Sequence, residues 1–360
     1  MSTVEYRDDL KVAKFPAPTG SKRKIVFDYY MKMATVPWKA PHDFCLTWAP
    51  GTEKDYGVKL DYKGGKTYYG VVYGNTKANY DEFMEHVDEN GVLHCDSYYY
   101  TDIIGNHCSS SMFLAYQQII PMGYGTLRPS VARTGLTCLP KNLKNPGAGL
   151  WVSKDLFDLN GEEAIHEAYA TLEYGDILFF CKHGSGHVRM VSGVDVVRDE
   201  NGKIDPEKSV VITVENCSAW YTADQNSTWH IDKRYTFARL FKSLFMPITL
   251  DTFHDNTPIT DAYMFFDGKN TPESILKEGL KGKVTSNYPL NYLRVNVKDS
   301  EGNLVKKLHL RNMSEVLEID LAKESAEAGL FDLPAGEYEY TLRVGIARGN
   351  CTFESFKFTV

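Results

Sequence analysis

The sequence predicts an α+β unit followed by an all-β unit, and three observations carry that expectation. A short apolar helix opens near residue 108, strand-like runs joined by a tight turn follow between residues 177 and 216, and beyond about residue 245 apolar residues recur with period two. At 360 residues the chain is long enough for two domains and a substantial core. The division is expected between residues 1–247 and 248–360.

The helix is read from Met112, Phe113, Tyr116, Ile119 and Ile120, whose spacing makes one buried face. It must stop before Pro121. Gly105, Asn106 and the serines at 109, 110 and 111 suit a helix entry, which places Cys108 in or just before the first turn. Unpaired N–H groups and the positive end of the helix dipole there favour thiolate over thiol. A nucleophile of that kind needs a histidine from elsewhere to hold and shuttle its proton. Ile177 to Cys181 and His187 to Val191 flank a Gly/Ser-rich turn and read as a hairpin, with His187, Arg189 and Val191 on one face.

A Cys108-Ser109 pair opening an apolar helix, then Gly175-Asp176 before an apolar run ending Phe179-Phe180, then His187-Val188 before an apolar strand, resembles the NlpC/P60 superfamily of papain-like cysteine peptidases. The resemblance covers roughly residues 60 to 220. It implies a papain-like fold, with the cysteine helix packed on an antiparallel sheet, and a third polar residue on the strand after the histidine. That strand is the run Val210 to Asn216, so Glu215 or Asn216 would orient the His187 ring; strand register, which decides between them, is not fixed by sequence. The resemblance further implies cleavage of an amide or peptide bond in cell-wall (peptidoglycan) peptides, by Cys108 as nucleophile and His187 as base. Tyr69 and Tyr73, in an aromatic-Gly stretch like the one lining the family's groove, become candidate substrate-binding residues, with His107, Ser109 and Arg189. The chain differs from the family's usual pattern at His107, Ser110 and Arg189. An amidase, transglutaminase or acyltransferase on the same scaffold is the nearest alternative, and a non-catalytic binding protein keeping the fold is another.

Elsewhere the reading is coarser. Residues 1 to 21 form an extended arm; Lys22 to Met33 is a helix with Ile25, Val26, Tyr29, Tyr30 and Met33 as its stripe, ended by Pro37. Asn79 to Val87 is a short helix, residues 121 to 150 are a proline-rich irregular insertion, and Gly161 to Leu172 is helical. Lys242 to Leu250 is read as the passage between units. The runs Leu293 to Val297, Leu304 to Leu310, Tyr338 to Ile346 and Phe356 to Val360 alternate, with turns at Gly302 and Gly336, and argue for an immunoglobulin-like β-sandwich. That unit supplies no catalytic constellation, so the chemistry is expected to survive without it.

Composition narrows the partners. A net charge of -7 argues against nucleic acid or an anionic membrane surface, and 23 tyrosines suit a cleft for sugars or peptides. A peptide or cell-wall fragment is the expected partner. No run of about 18 apolar residues crosses a membrane, and no signal peptide opens the chain, so the expected location is cytoplasmic, or exported with a targeting segment removed. Seven irregularly spaced cysteines form no disulfide framework. Cys45, Cys95, Cys181, Cys217 and Cys351 lack the context of Cys108, and Cys138 sits in a loop. His94-Cys95 and Cys181 with His183 lack a second ligand pair, so no metal is expected, and without a P-loop or dinucleotide fingerprint no cofactor either.

Overall fold

The computed structural model describes residues 2–7, 10–52, 57–123, 127, 137–147, 149–182, 184–311, 313 and 315–360. It is a mixed α/β, sheet-rich architecture with several antiparallel sheets. His183 and part of the insertion at 121–150 lie outside the described residues.

Four helices matter for the site. Helix α1 (Lys22–Thr35) is capped by Ser21, whose side chain accepts from the Lys24 N–H, and buries Val26, Tyr30, Met33 and Ala34. Helix α2 (Tyr80–Glu85) is capped by Asn79, which accepts from the Glu82 N–H. Helix α3 (Cys108–Tyr116) buries Cys108 and every residue from Ser110 to Tyr116. It is therefore a core helix, buried nearly all round with Ser110 and Ser111 among its buried residues, rather than the one-sided helix expected, and it ends one turn earlier, leaving Ile119 and Ile120 in the turn that follows. Helix α4 (Ser153–Ala170) is broken at Gly161, whose φ of 76° leaves the helical region.

A six-stranded antiparallel sheet supports α3. Its order is Trp229–Thr236, Val210–Asn216, Ser185–Asp195, Ile177–Lys182, Met246–Leu250 and Thr137–Cys138. The expected hairpin is present, with Phe180 opposite His187. Met246–Leu250, read from sequence as a passage between units, is a fully buried strand of this sheet, paired with Ile177 to Phe179.

Two further antiparallel sheets share one C-terminal core. Leu304–Leu310, Leu290–Asp299, Glu337–Ile346 and Gly349–Thr359 form a four-stranded sheet. The other sheet has five strands, Ser2–Arg7, Leu10–Phe15, Ala262–Asp267, Lys283–Ser286 and Glu318–Asp320. Met264, Phe266 and Val284 from the five-stranded sheet meet Val295, Leu342 and Val344 from the four-stranded one. The expected boundary at 247/248 is thus crossed in both directions: the N-terminal arm is two strands of the C-terminal unit, and residues past 247 complete the sheet that carries the site.

Polar contacts tie the units together. Asn79 donates to the Ile346 carbonyl at 2.7 Å and Gln118 to that of Ala347 at 2.8 Å. On α2, Glu82 is fully buried against Arg311, and Glu85, on the same face, binds Arg294 at 2.7 Å and Arg343 at 2.5 Å. Leaving the buried Glu82 carboxylate without Arg311 would cost roughly 3–5 kcal/mol.

Candidate active site

The site begins with how the chain is led into α3. Gly105 passes so close to Val72 that a Cβ there would lie 2.3 Å from the Val72 carbonyl oxygen, so only glycine fits. Asn106 is fully buried, and its main-chain and side-chain oxygens accept from the Asn216 amide at 3.0 and 3.1 Å. At His107 the backbone turns into the helix; its N–H donates to Ser110 Oγ at 2.8 Å, and that hydroxyl donates back to the His107 carbonyl at 3.1 Å. Cys108 is then the first helical residue, 9% exposed. Helix geometry leaves its N–H without an intrahelical partner.

The histidine comes from the strand Ser185–Asp195, and the third member from Val210–Asn216. His187 Nε2 lies 2.5 Å from Glu215 Oε2, and the ring also hydrogen-bonds the Cys108 sulfur. Asn216, one residue on, points the other way, as alternation along a strand requires, and holds Asn106 while accepting from Thr228 Oγ1 at 2.9 Å. The two residues left open by the sequence thus divide the work: Glu215 faces the imidazole and Asn216 fixes the cysteine loop.

Glu215 is 2% exposed and surrounded by donors. Arg189 Nε donates to Oε2 at 2.8 Å, the Tyr235 hydroxyl to Oε1 at 2.5 Å, and Lys233 Nζ lies 3.3 Å from Oε1. Arg189 is stacked between the rings of Tyr235 and Phe245, 3.9 and 3.8 Å from their centroids. Arg189, a candidate substrate-binding residue by sequence, is thus engaged in a buried pair with Glu215 and two aromatic rings.

The electrostatics follow from these contacts. Burial pushes the Cys108 thiol up, but hydrogen bonds and charge from His107 and His187 outweigh it and bring it down to about 5. Burial likewise opposes the His187 imidazolium, and the bonds to Cys108 and Glu215 overcome it and raise the ring to about 9. Burial would raise Glu215 too, yet His187 and Arg189 hold it far below the usual carboxylate range. At neutral pH the arrangement is therefore a thiolate–imidazolium pair backed by a carboxylate.

The remaining candidates fall around this chain of contacts. Tyr73 bridges to Asn106 through its main chain, stacks on Tyr100 at 5.5 Å, and lies in the field of Cys108. Ser109 Oγ is 3.3 Å from His107 Nδ1. Tyr69 sits four residues before Tyr73, 46% exposed, its main chain bonded to Asn226 and Ser227. Sequence reasoning missed Lys233, Tyr235 and a second cysteine–histidine pair, because all depend on how Trp229–Thr236 is registered against its neighbour. In that pair Cys217 Sγ lies 3.1 Å from His230 Nε2, with Lys233 Nζ 2.8 Å from His230 Nδ1. Among the described residues no group of three or more His, Cys, Asp or Glu side chains is placed to hold a metal ion, and no helix is long and apolar enough to cross a membrane.

No protein-family model, curated protein or solved structure matches this chain.

Proposed function

We propose that this chain is a cysteine hydrolase acting on an amide or peptide bond, with cell-wall peptide as the substrate class in keeping with the NlpC/P60 resemblance. The observation that carries the reading is the unbroken line from Glu215 through His187 to Cys108 at a helix start. Cys108 Sγ attacks the carbonyl carbon and the Cys108 N–H receives the oxyanion. His187 gives its proton to the departing amine nitrogen as the C–N bond breaks, leaving a thioester. It then takes a proton from water, whose oxygen attacks the thioester and releases the acid and the thiolate. Glu215 keeps the ring in the tautomer and orientation both steps need. The C-terminal sandwich, read as immunoglobulin-like, contributes none of these groups and braces the site unit through α2.

Alkylation tests the reading directly. At pH 6 iodoacetamide should modify Cys108 well ahead of Cys351, a buried cysteine of the C-terminal core. Equal rates at the two positions would leave a non-catalytic scaffold as the better account.

A further inference from the structure

Lys233 owes its place to an irregularity in its strand. His230 and Lys233 are three residues apart, and on a regular strand they would face opposite sides. The pairing shifts between Thr213 opposite Lys233 and Glu215 opposite His230, and Asp232 within that shift has φ 55°, a conformation unfavourable for a residue with a Cβ. The bulge turns both side chains toward Glu215: His230 Nδ1 stands 3.7 Å from Oε1 and Lys233 Nζ 3.3 Å. Bulges beside active sites serve to re-aim side chains.

The charge so delivered exceeds what Glu215 requires. Oε2 already receives His187 and Arg189, and Oε1 receives Tyr235. In direct contact with Glu215 and Cys108 at neutral pH stand the imidazolium of His187, the guanidinium of Arg189 and the ammonium of Lys233, against one carboxylate and one thiolate. One positive charge is left over, in a chain whose net charge is -7. Of the three cations Lys233 is the most accessible, its side chain 31% exposed against 23% for His187 and 13% for Arg189, and its contact with Glu215 is the longest. Lys233 Nζ is held 3.3 Å from Glu215 Oε1 and 2.8 Å from the neutral His230 Nδ1, and an ammonium on a flexible stem can swing from these contacts to an incoming anion; a guanidinium wedged between two rings cannot.

We propose that Lys233 is a specificity-determining residue of the Cys108 site, its ammonium receiving a carboxylate carried by the substrate. The proposal rests on Cys108 being the nucleophile and adds the charge of what it attacks. It places at Lys233 a substrate contact of the kind for which Arg189 was the sequence candidate.

Two alkylating reagents with the same leaving group, iodoacetate and iodoacetamide, read the local charge on the full-length protein by mass spectrometry of the Cys108 peptide. In the wild type the iodoacetate-to-iodoacetamide rate ratio at Cys108 should exceed that of free cysteine. Lys233→Met should lower the ratio about fivefold, an order-of-magnitude value for removing one nearby unit charge in a solvent-exposed setting, while the iodoacetamide rate stays within about twofold. Lys233→Arg should restore it. A wild-type measurement guards against a misfolded variant: in about 1 M salt, where screening acts over roughly 3 Å, the ratio should fall toward that of free cysteine. A ratio indifferent to both salt and Lys233→Met overturns the proposal, as does an equal fall in both rates, which would mean that Lys233 acts only through Glu215. Iodoacetamide labelling of Cys108 no faster than of Cys351 overturns the nucleophile reading, and this one with it.

Discussion

Cys108 with His187 and Cys217 with His230 are two cysteine–histidine pairs set around one carboxylate. In each, a cysteine stands beside an imidazole and a charged group meets one of the ring nitrogens. Behind His187 stands Glu215 Oε2 at 2.5 Å; behind His230 stands the Lys233 ammonium at 2.8 Å, with Glu215 Oε1 farther off at 3.7 Å. A carboxylate stabilises an imidazolium and an ammonium penalises it. Burial lowers His230 and Lys233 lowers it further, so that ring is neutral near pH 7 and lends no charge to its cysteine. Burial and the Glu215 charge push the Cys217 thiol up to about 12, while Cys108 is brought down to about 5. Contact with a histidine therefore does not activate a thiol by itself. The group on the far side of the imidazole counts, and Cys108 has a second histidine, His107, acting on it as well.

The contrast breaks first at the sulfurs themselves. Cys108→Ala should reduce hydrolysis of p-nitrophenyl acetate, a generic acyl donor, by a factor of about 1,000 or more, whereas Cys217→Ala should stay within about twofold of the wild type. Comparable losses in the two variants, at equal folded concentration, would dissolve the distinction.

Glu215→Gln should sharpen it, because one substitution is expected to move the two thiols in opposite directions. Without the carboxylate His187 loses the partner that holds its proton, so the pH midpoint for Cys108 alkylation should climb from about 5. Cys217, relieved of a neighbouring negative charge, should come down from about 12. Arg189 and Lys233 are left facing a neutral amide, and stability to urea should fall by roughly 3–5 kcal/mol. Midpoints shifting in the same direction would remove Glu215 as their common cause.

The pH profile of the wild type follows with its signs fixed. As pH falls through about 5 Cys108 takes up a proton and ceases to be a nucleophile; as pH rises through about 9 His187 loses the proton it must deliver to the leaving group. Acyl transfer should be bell-shaped between those limits. A profile still rising at pH 10 would point to an ordinary thiol, such as that of the second pair.

What was legible in the sequence depended on how local its cause was. Cys108 could be placed at a helix start because Gly105, Asn106 and the serines act within a turn of it, and His187 because a hairpin with a short turn carries its own register. Glu215 and Asn216 stayed undivided because adjacent strand residues face opposite ways and only long-range pairing says which face meets the imidazole. His230 and Lys233 were further out of reach: their shared direction requires the bulge at Asp232, which no local pattern announces. The unit boundary was blurred for the same reason. Leu10–Phe15 pairs with Ala262–Asp267 about 250 residues away, and nothing near either run points to the other.

The smallest expected effect separates charge from hydrogen bonding at Glu215. Tyr235 donates to Oε1 at 2.5 Å, and its ring carries one side of the Arg189 stack. Tyr235→Phe keeps the ring, and so the stack, and removes one hydrogen bond to a charged acceptor, worth roughly 1.5–3 kcal/mol, of which Lys233 beside the same oxygen can recover part. A stability loss of about 1 kcal/mol is therefore expected by urea denaturation. The carboxylate keeps its charge, so the field at Cys217 is unchanged and its alkylation midpoint should stay where it is. The Cys108 midpoint should rise by less than in Glu215→Gln, since His187 keeps its 2.5 Å contact on the other oxygen. If Tyr235→Phe lowers the Cys217 midpoint as far as Glu215→Gln does, the second thiol is silenced by the geometry of Oε1 and not by the charge of Glu215. The explanation of the contrast would then pass from electrostatics to hydrogen-bond placement.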